Sequence, residues 1–228
     1  MKKTIAGIVA ILFVVCAIYG GVTIFVQNKK SSHLDECEDV IDEVVTAYEQ
    51  TDQSPNNVRL VTTLSSMNKS YTVSSMEDHY VKVKGLCPDG GEITFVFNGN
   101  TTAVGLCSVH EGKIVERLGE PKAMYYRFMY VLADYKSYCR SANIDSDQLN
   151  ASNLLNAFYR SQSYNNKNSW PKITIEGKTY ALMPRYNDDR SVDIIATSDL
   201  IPYEKGSVKV VKDADYVYDL KADEWVKQ

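Results

Sequence analysis

The chain has 228 residues, of which 44% are hydrophobic and 24% charged, and its formal net charge is −4 at pH 7. This length and composition are sufficient for one hydrophobic core. The mild acidity, without a basic stripe along the sequence, argues against nucleic acid as a partner.

The first predicted element is an uncharged apolar segment, Ile5–Val26. A helix of that length rises about 1.5 Å per residue and spans the roughly 30 Å hydrocarbon core of a membrane. A cleaved signal peptide is the alternative, since Val15-Cys16-Ala17 would serve as a cleavage site. The apolar core of a signal peptide normally ends after about 7 to 15 residues, whereas this one continues to Val26. We therefore expect an uncleaved anchor over 1–27 that contacts the membrane through 5–26.

The orientation of this anchor depends on a small difference in charge. Lys2 and Lys3 precede the apolar segment and Lys29 and Lys30 follow it, so the positive-inside bias is nearly balanced. The amino-terminal amine adds one positive charge to the first side. We expect a single-pass protein of the cell membrane with the bulk of the chain outside the cytoplasm.

An amphipathic stalk helix is predicted over 28–54. Its apolar residues recur at spacings of three and four, which places them on one helical face: Leu34, Cys37, Ile41, Val44, Val45 and Tyr48. Acidic residues crowd the rest of the helix, and a solvated face is the usual reason for such a run.

The remainder, 55–228, is predicted to be one extracytoplasmic α+β domain. Alternating apolar residues and Asp-Gly-Gly and Asn-Gly turns predict antiparallel strands over Val58–Val109, beginning with the segment VRLVTTL. Two inserted helices follow, the first starting near Pro121 and the second ending near Arg160. Strands return from Lys172 onwards. The predicted fold is thus a transmembrane helix, an amphipathic helix and a β-rich domain with two inserted helices.

Four cysteines follow the anchor: Cys37, Cys87, Cys107 and Cys139. An even number of cysteines in an oxidising space predicts two disulfides. Of the three possible connectivities we favour Cys37 with Cys139 and Cys87 with Cys107, because the other two tie a helix to a strand twice. Cys37 and Cys139 both lie on apolar helical faces.

The pairing of Cys87 with Cys107 meets a geometric objection. A three-residue Asp89-Gly90-Gly91 loop would set Cys87 opposite Ile93, and a two-residue Asn98-Gly99 turn would make Cys107 face outwards. The two cysteines would then lie on the first and third strands, about 9.6 Å apart. Disulfides require Cα atoms at roughly 4.4 to 6.8 Å.

A metal site is a further interpretation of the same region. Cys87, Cys107, His110 and His79 form a formal Cys2His2 set, but structural zinc sites usually present two close pairs of ligands and only Cys107 and His110 form a close pair. We therefore expect no metal.

Catalytic motifs are absent from the sequence. It contains no P-loop, dinucleotide fingerprint, G-x-S-x-G or H-E-x-x-H pattern. Ser66-Met-Asn-Lys69 matches the S-x-x-K motif of penicillin-recognising serine enzymes. The S-D-N and K-T-G motifs that accompany it in those enzymes each differ by one residue from the nearest match in this sequence. We expect no catalytic residue, no cofactor and no enzymatic activity.

A possible recognition loop runs from Tyr159 to Trp170 and includes Tyr164. It is rich in Tyr, Ser and Asn, a composition used in adaptable binding surfaces. The alternative is a polar linker that closes onto a packed Trp170.

An apolar segment followed directly by an amphipathic helix and a β-rich domain is similar in outline to type IV pilins and pseudopilins. Lys2, Lys3 and Gly7 would correspond to the short basic leader that ends in Gly in that family. The resemblance covers about the first fifty residues. Cleavage after Gly7 would put Leu12 at the fifth mature position, where the family carries Glu.

Together these features predict a non-enzymatic, membrane-anchored module of the cell envelope that binds a protein or glycan outside the cytoplasm. The first alternative, which the resemblance implies, is a pilin-like or pseudopilin-like assembly subunit. The second is an enzyme with an unrecognised site.

Overall fold

A computed structural model describes residues 32–50, 56–77, 79–98, 102–142, 149–162, 164, 169–200, 203–204 and 206–228. The predicted anchor over 1–27 lies outside these residues. None of the helices in the described ranges is long and apolar enough to span a membrane.

The described residues form six helices and eleven strands, which confirms the predicted α+β class. The helices are α1 (32–49), α2 (Asn57–Ser66), α3 (Glu111–Arg117), α4 (Glu120–Ala133), α5 (Tyr135–Ala142) and α6 (Ala151–Ser161). The strands are β1 (Thr72–Glu77), β2 (Tyr80–Lys84), β3 (Ile93–Asn98), β4 (Thr102–Cys107), β5 (Lys172–Ile175), β6 (Lys178–Tyr186), β7 (Val192–Thr197), β8 (Tyr203–Glu204), β9 (Ser207–Val208), β10 (Tyr216–Asp219) and β11 (Glu224–Lys227).

The strands pair antiparallel throughout the described residues, as the turn signals predicted. Sheet 1 is a four-stranded meander in the order β1-β2-β3-β4. Sheet 2 has five strands in the order β11-β10-β7-β6-β5, and β8 and β9 form a separate hairpin.

Sheet 1 is covered on both faces. One face packs against α1 and α2 in a core that includes Ile41, Leu60 and Phe95. The other face packs against α4, which also contacts β6 and β7 of sheet 2. This second core includes Val96, Phe128 and Ile194. Helix α4 is therefore a layer between the two sheets.

Helix α1 is part of the first core. Its predicted apolar face is confirmed: Val45 is partly buried against the core, and the other five residues are at most 5% exposed, namely Leu34, Cys37, Ile41, Val44 and Tyr48. Tyr48 stacks on Phe97 of β3 with ring centroids 5.4 Å apart. Burying each large apolar side chain contributes about 1.5–3 kcal/mol, so this face is sufficient to hold the helix on the sheet.

The prediction of a strand over the segment VRLVTTL is wrong, because this segment forms helix α2. The Asn56 side chain accepts a hydrogen bond from the Arg59 amide at 2.8 Å and caps the helix. Leu60 and Leu64, one helical turn apart, are both buried against sheet 1. Burial at this spacing outweighs the strand preference of the β-branched residues.

The predicted number of inserted helices, two, is also too low. Four helices, α3 to α6, lie between sheet 1 and sheet 2 in chain order. Pro121 occupies the first turn of α4, as expected. The short helix α3 directly follows the turn that ends sheet 1, where the sequence showed no long apolar period.

The predicted register of β3 and β4 is wrong by three residues, because Phe97 pairs with Ala103 and not with Asn100 as the Asn98-Gly99 turn implied. Asn98 pairs with Thr102, so three residues connect these strands instead of two. Cys107 therefore pairs with Ile93 and faces the core, fully buried, instead of facing outwards. A shift by an odd number of residues moves every side chain of a strand to the other face of the sheet.

Candidate metal centre

Cys37, Cys87, Cys107 and His110 converge at one end of sheet 1. All four side chains are buried, and their donor atoms lie within 4.8 Å of one another. They come from three separate parts of the chain: helix α1, the turn after β2, and the end of β4 with the turn that follows it. Three sulfur atoms and one imidazole nitrogen are the ligand types that structural zinc sites use.

Helix α1 contributes Cys37. Leu34 and Ile41, on the same helical face, are buried in the core and set the rotation of the helix about its axis. The Cys37 thiol interacts with the thiols of Cys107 and Cys87. The packing of α1 against sheet 1 therefore places the Cys37 sulfur beside the sulfurs of Cys87 and Cys107.

Cys87 opens a tight turn after β2. Its carbonyl accepts a hydrogen bond from the Gly90 amide at 3.0 Å, and Gly90 has a φ of +74°, which glycine adopts without strain. The backbone amides of Asp89 and Gly91 donate to the Cys87 sulfur. This turn wraps its own N–H groups around the sulfur.

Cys107 opens a similar turn at the end of β4. Its carbonyl accepts from the His110 amide at 3.2 Å. The backbone amides of Val109 and His110 donate to the Cys107 sulfur. Amide donors stabilise the charged form of an acceptor, so both turns suit thiolate sulfur, the form that binds a metal.

Gly91 allows the two turns to meet. A Cβ atom at Gly91 would lie 2.6 Å from Cys107 Sγ and 3.2 Å from Cys87 Sγ. No side chain fits in that space without displacing a sulfur. The loop of Cys87 therefore passes directly beside Cys107 only because this residue is glycine.

His110 points its Nδ1 atom at the sulfurs. Nδ1 lies 3.5 Å from Cys87 Sγ and 3.6 Å from Cys107 Sγ. Nε2 lies 2.9 Å from Asp89 Oδ2. The carboxylate assigns the proton to Nε2, so the lone pair of Nδ1 faces the thiols.

These distances match a tetrahedral zinc ion. Bonds of about 2.3 Å to sulfur and 2.0 Å to nitrogen place a sulfur and a nitrogen donor about 3.5 Å apart, and two sulfurs about 3.8 Å apart. The two measured nitrogen–sulfur distances are 3.5 and 3.6 Å. His110, Cys87 and Cys107 are thus spaced as ligands of one ion.

The three thiols also interact electrostatically with one another. A hydrogen bond from the Cys37 thiol lowers the pKa of Cys107 to about 5, against the opposing effect of burial. The same hydrogen bond and burial raise the pKa of Cys37. Burial raises the pKa of Cys87 despite the two amide donors. The hydrogen bonds among the thiols therefore favour a thiolate within the cluster, because the remaining S–H groups can donate to it.

The sequence interpretation named three of these four residues as a possible ligand set. Its fourth member, His79, lies elsewhere, where Nε2 donates to the Leu132 carbonyl at 3.2 Å. The fourth member of the set in the structure is Cys37. The available signal was the position of Cys37 on the buried face of α1, but the sequence does not indicate which strand end that face covers.

Of the two favoured disulfide pairs, Cys87 and Cys107 lie side by side, whereas Cys37 and Cys139 lie in different parts of the molecule. Cys37 belongs to the core between α1 and sheet 1, whereas Cys139 belongs to the core between the two sheets. All four described cysteines are free thiols. Cys37 instead lies beside Cys87 and Cys107.

The possible recognition loop begins and ends in the core. Tyr159 and Trp170 are 0% and 4% exposed, with ring centroids 4.8 Å apart. Tyr164 packs against both rings. These contacts correspond to the alternative of a linker that closes onto a packed tryptophan.

Comparison with known proteins gives no match: no family model, no curated protein and no solved structure is significantly similar to the chain.

Proposed function

We propose that this chain is a single-pass membrane protein that displays a non-enzymatic α+β binding module outside the cytoplasm, and that a structural zinc ion bound by Cys37, Cys87, Cys107 and His110 holds this module together. The observation that carries the zinc centre is the convergence of four buried donor atoms within 4.8 Å. The partner of the module is a protein or a glycan, and residues 5–26 are its membrane anchor.

The ligand set supports a structural role for the metal. Catalytic zinc sites keep one coordination position open for water or substrate, whereas structural sites fill all four with protein ligands. Three sulfurs and one nitrogen complete the tetrahedron, and the four residues are buried. A closed and buried centre of this kind fits a non-enzymatic module.

A metal accounts for the cluster better than a disulfide does. A disulfide would use two of the three converging thiols and leave the third beside the Nδ1 atom of His110. A zinc ion uses all four donors, and thiolate with imidazole is a set that zinc prefers. Coordination also protects thiolates in an oxidising space.

The metal would join parts of the chain that are distant in sequence. It links α1, which follows the proposed anchor, to the ends of β2 and β4. The zinc ion thereby fixes the first helix outside the membrane to sheet 1. The binding module would then be a rigid body that begins at the membrane side of α1.

Elemental analysis of the full-length chain, purified in detergent without chelator, tests the zinc centre. We expect one zinc ion per chain in the wild type and loss of zinc in Cys37→Ser and Cys107→Ser. Cys139→Ser is the matched control, because Cys139 is fully buried but lies in the other core. A metal-free protein whose intact mass is lower by the two hydrogen atoms of a Cys87–Cys107 disulfide would overturn the zinc centre.

Protease treatment of intact cells tests the location independently. We expect the chain to fractionate with membranes and its domain to be digested from outside. A chain that is released from membranes by high salt, or is protected until the cells are lysed, would contradict the anchored and exported arrangement.

A pilin-like or pseudopilin-like assembly subunit is the second candidate. The observation that favours it is the packing of α1 across one face of the four-stranded antiparallel sheet 1, with Ile41 against Gly105 of β4. Sequencing the amino terminus of the mature protein separates the candidates. A chain that begins at Ile8 supports the assembly subunit, and a chain that retains Met1 supports the uncleaved anchor.

A further inference from the structure

Asp89 lies between two histidines. Its Oδ2 atom is 2.9 Å from Nε2 of His110, and its Oδ1 atom is 2.6 Å from Nδ1 of His33. His110 belongs to the candidate metal centre, whereas His33 lies in the first turn of α1. One carboxylate thus contacts a proposed metal ligand and the start of the helix that follows the proposed anchor.

We propose that Asp89 is a positioning residue of the metal centre, which orients His110 for the metal and connects the centre to α1 through His33. This inference rests on the zinc centre proposed above. It assigns a role to two residues that are not ligands themselves.

The orientation of the His110 ring carries the first part of the inference. An imidazole that binds metal through Nδ1 must hold its proton on Nε2, and a carboxylate facing Nε2 fixes both the proton and the ring. Such outer hydrogen bonds also make the ligand more basic, and their loss typically weakens metal binding about 10- to 100-fold. Asp89 has this position relative to His110.

The local backbone makes the contact specific. Asp89 lies two residues after Cys87, in the turn whose amides donate to the Cys87 sulfur. The His110 side chain is 6% exposed and that of Asp89 33% exposed, so their hydrogen bond runs from the buried centre to its rim. The same short loop therefore supplies one ligand and the group that orients another.

The second part of the inference, the connection of the metal centre to α1, rests on His33. It lies four residues before Cys37, one helical turn away on the same face of α1. The helix is thus fixed to the loop of Cys87 at two points, by Cys37 through the metal and by His33 through Asp89. The second contact occupies Oδ1, which leaves Oδ2 for His110.

Zinc affinity of the full-length chain in detergent, measured by competition with a chromophoric chelator, tests the inference. We expect Asp89→Asn to weaken zinc binding about 10- to 100-fold and His33→Gln to weaken it less. Asp213→Asn, a change of the same type at an exposed position away from the centre, should bind as the wild type does. Equal affinity of Asp89→Asn and wild type would overturn the inference and leave the zinc centre standing.

A ligand exchange separates positioning from support of the loop. His110→Cys converts the set to four cysteines with a two-residue spacing between Cys107 and position 110, a spacing that zinc sites commonly use. If Asp89 acts mainly through His110, Asp89→Asn will weaken zinc binding in this background by no more than His33→Gln does, because only the contact with His33 remains to be lost. The same loss in both backgrounds would show that Asp89 only supports the loop, and would overturn the inference.

The Nε2 proton of His110 provides a direct readout in the zinc-loaded protein. With a carboxylate acceptor its NMR resonance should lie downfield, and in Asp89→Asn it should move upfield because the acceptor is neutral. An unchanged resonance would contradict the proposed contact. A wild-type chain that binds no zinc would overturn both the zinc centre and this inference.

Discussion

Ile41 of α1 lies directly over Gly105 of β4, so closely that a Cβ atom at Gly105 would be 2.5 Å from Ile41 Cγ2. This contact sets the distance between the helix and sheet 1 near the cysteine cluster. We expect Gly105→Ala to lower the free energy of unfolding by about 1–3 kcal/mol through overpacking. Urea denaturation would measure the change.

The cause can be isolated with a double-mutant cycle. Ile41→Ala alone should cost about 2–5 kcal/mol, but together with Gly105→Ala it should cost less than the sum of the two, because the clash is gone. Gly112→Ala in α3 is the control, since nothing lies within 4 Å of a Cβ atom there. Additive effects would contradict a direct contact.

Gly91 has a different kind of constraint, because a Cβ atom there would be 2.6 Å from Cys107 Sγ. Gly91→Ala should displace a sulfur and therefore reduce both zinc content and stability, the latter by about 1–3 kcal/mol. Elemental analysis and thermal unfolding would measure the two effects. Gly119→Ala, at a position where a Cβ atom meets nothing within 4 Å, should leave the zinc content unchanged. Full zinc occupancy in Gly91→Ala would count against a ligand set that requires this close approach.

Removal of the metal should loosen α1 selectively. A ligand present at a thousand times its dissociation constant stabilises a folded protein by about 4 kcal/mol, which is about 8 to 16 °C in Tm for a domain of this size. Chelation should reverse that shift and accelerate amide hydrogen exchange in 32–49. Exchange in α6, which packs in the other core, should change little. Uniform exchange throughout the chain would show that the centre does not act locally.

Trp170 should behave as a core residue. It stacks on Phe158 with ring centroids 6.3 Å apart and contacts Tyr159 at 4.8 Å. We expect Trp170→Ala to lower the free energy of unfolding by about 3–5 kcal/mol. The half-buried Trp225 of β11 provides a control, and Trp225→Ala should cost clearly less. Equal costs would show that Trp170 is not held as tightly as its burial indicates.

The sequence was informative where a pattern is local. Spacings of three and four residues identified the buried face of α1 from Leu34 to Tyr48, and the turn residues identified the antiparallel meander of sheet 1. The type of α2 was missed, because its β-branched residues fit a strand equally well until Leu60 and Leu64 are seen to pack against sheet 1. A short apolar run in the sequence does not distinguish a helix from a strand.

The candidate metal centre depends on relationships that no local pattern contains. The register of β3 and β4 decides whether Cys107 faces the core, and the shift of three residues from the predicted register reverses the face. By itself, the sequence determined that Cys37 lies on an apolar helical face and that Cys107 and His110 lie three residues apart. Only the tertiary structure decided that these residues meet at Cys87, because the packing of α1 against sheet 1 fixes contacts between segments far apart in the chain.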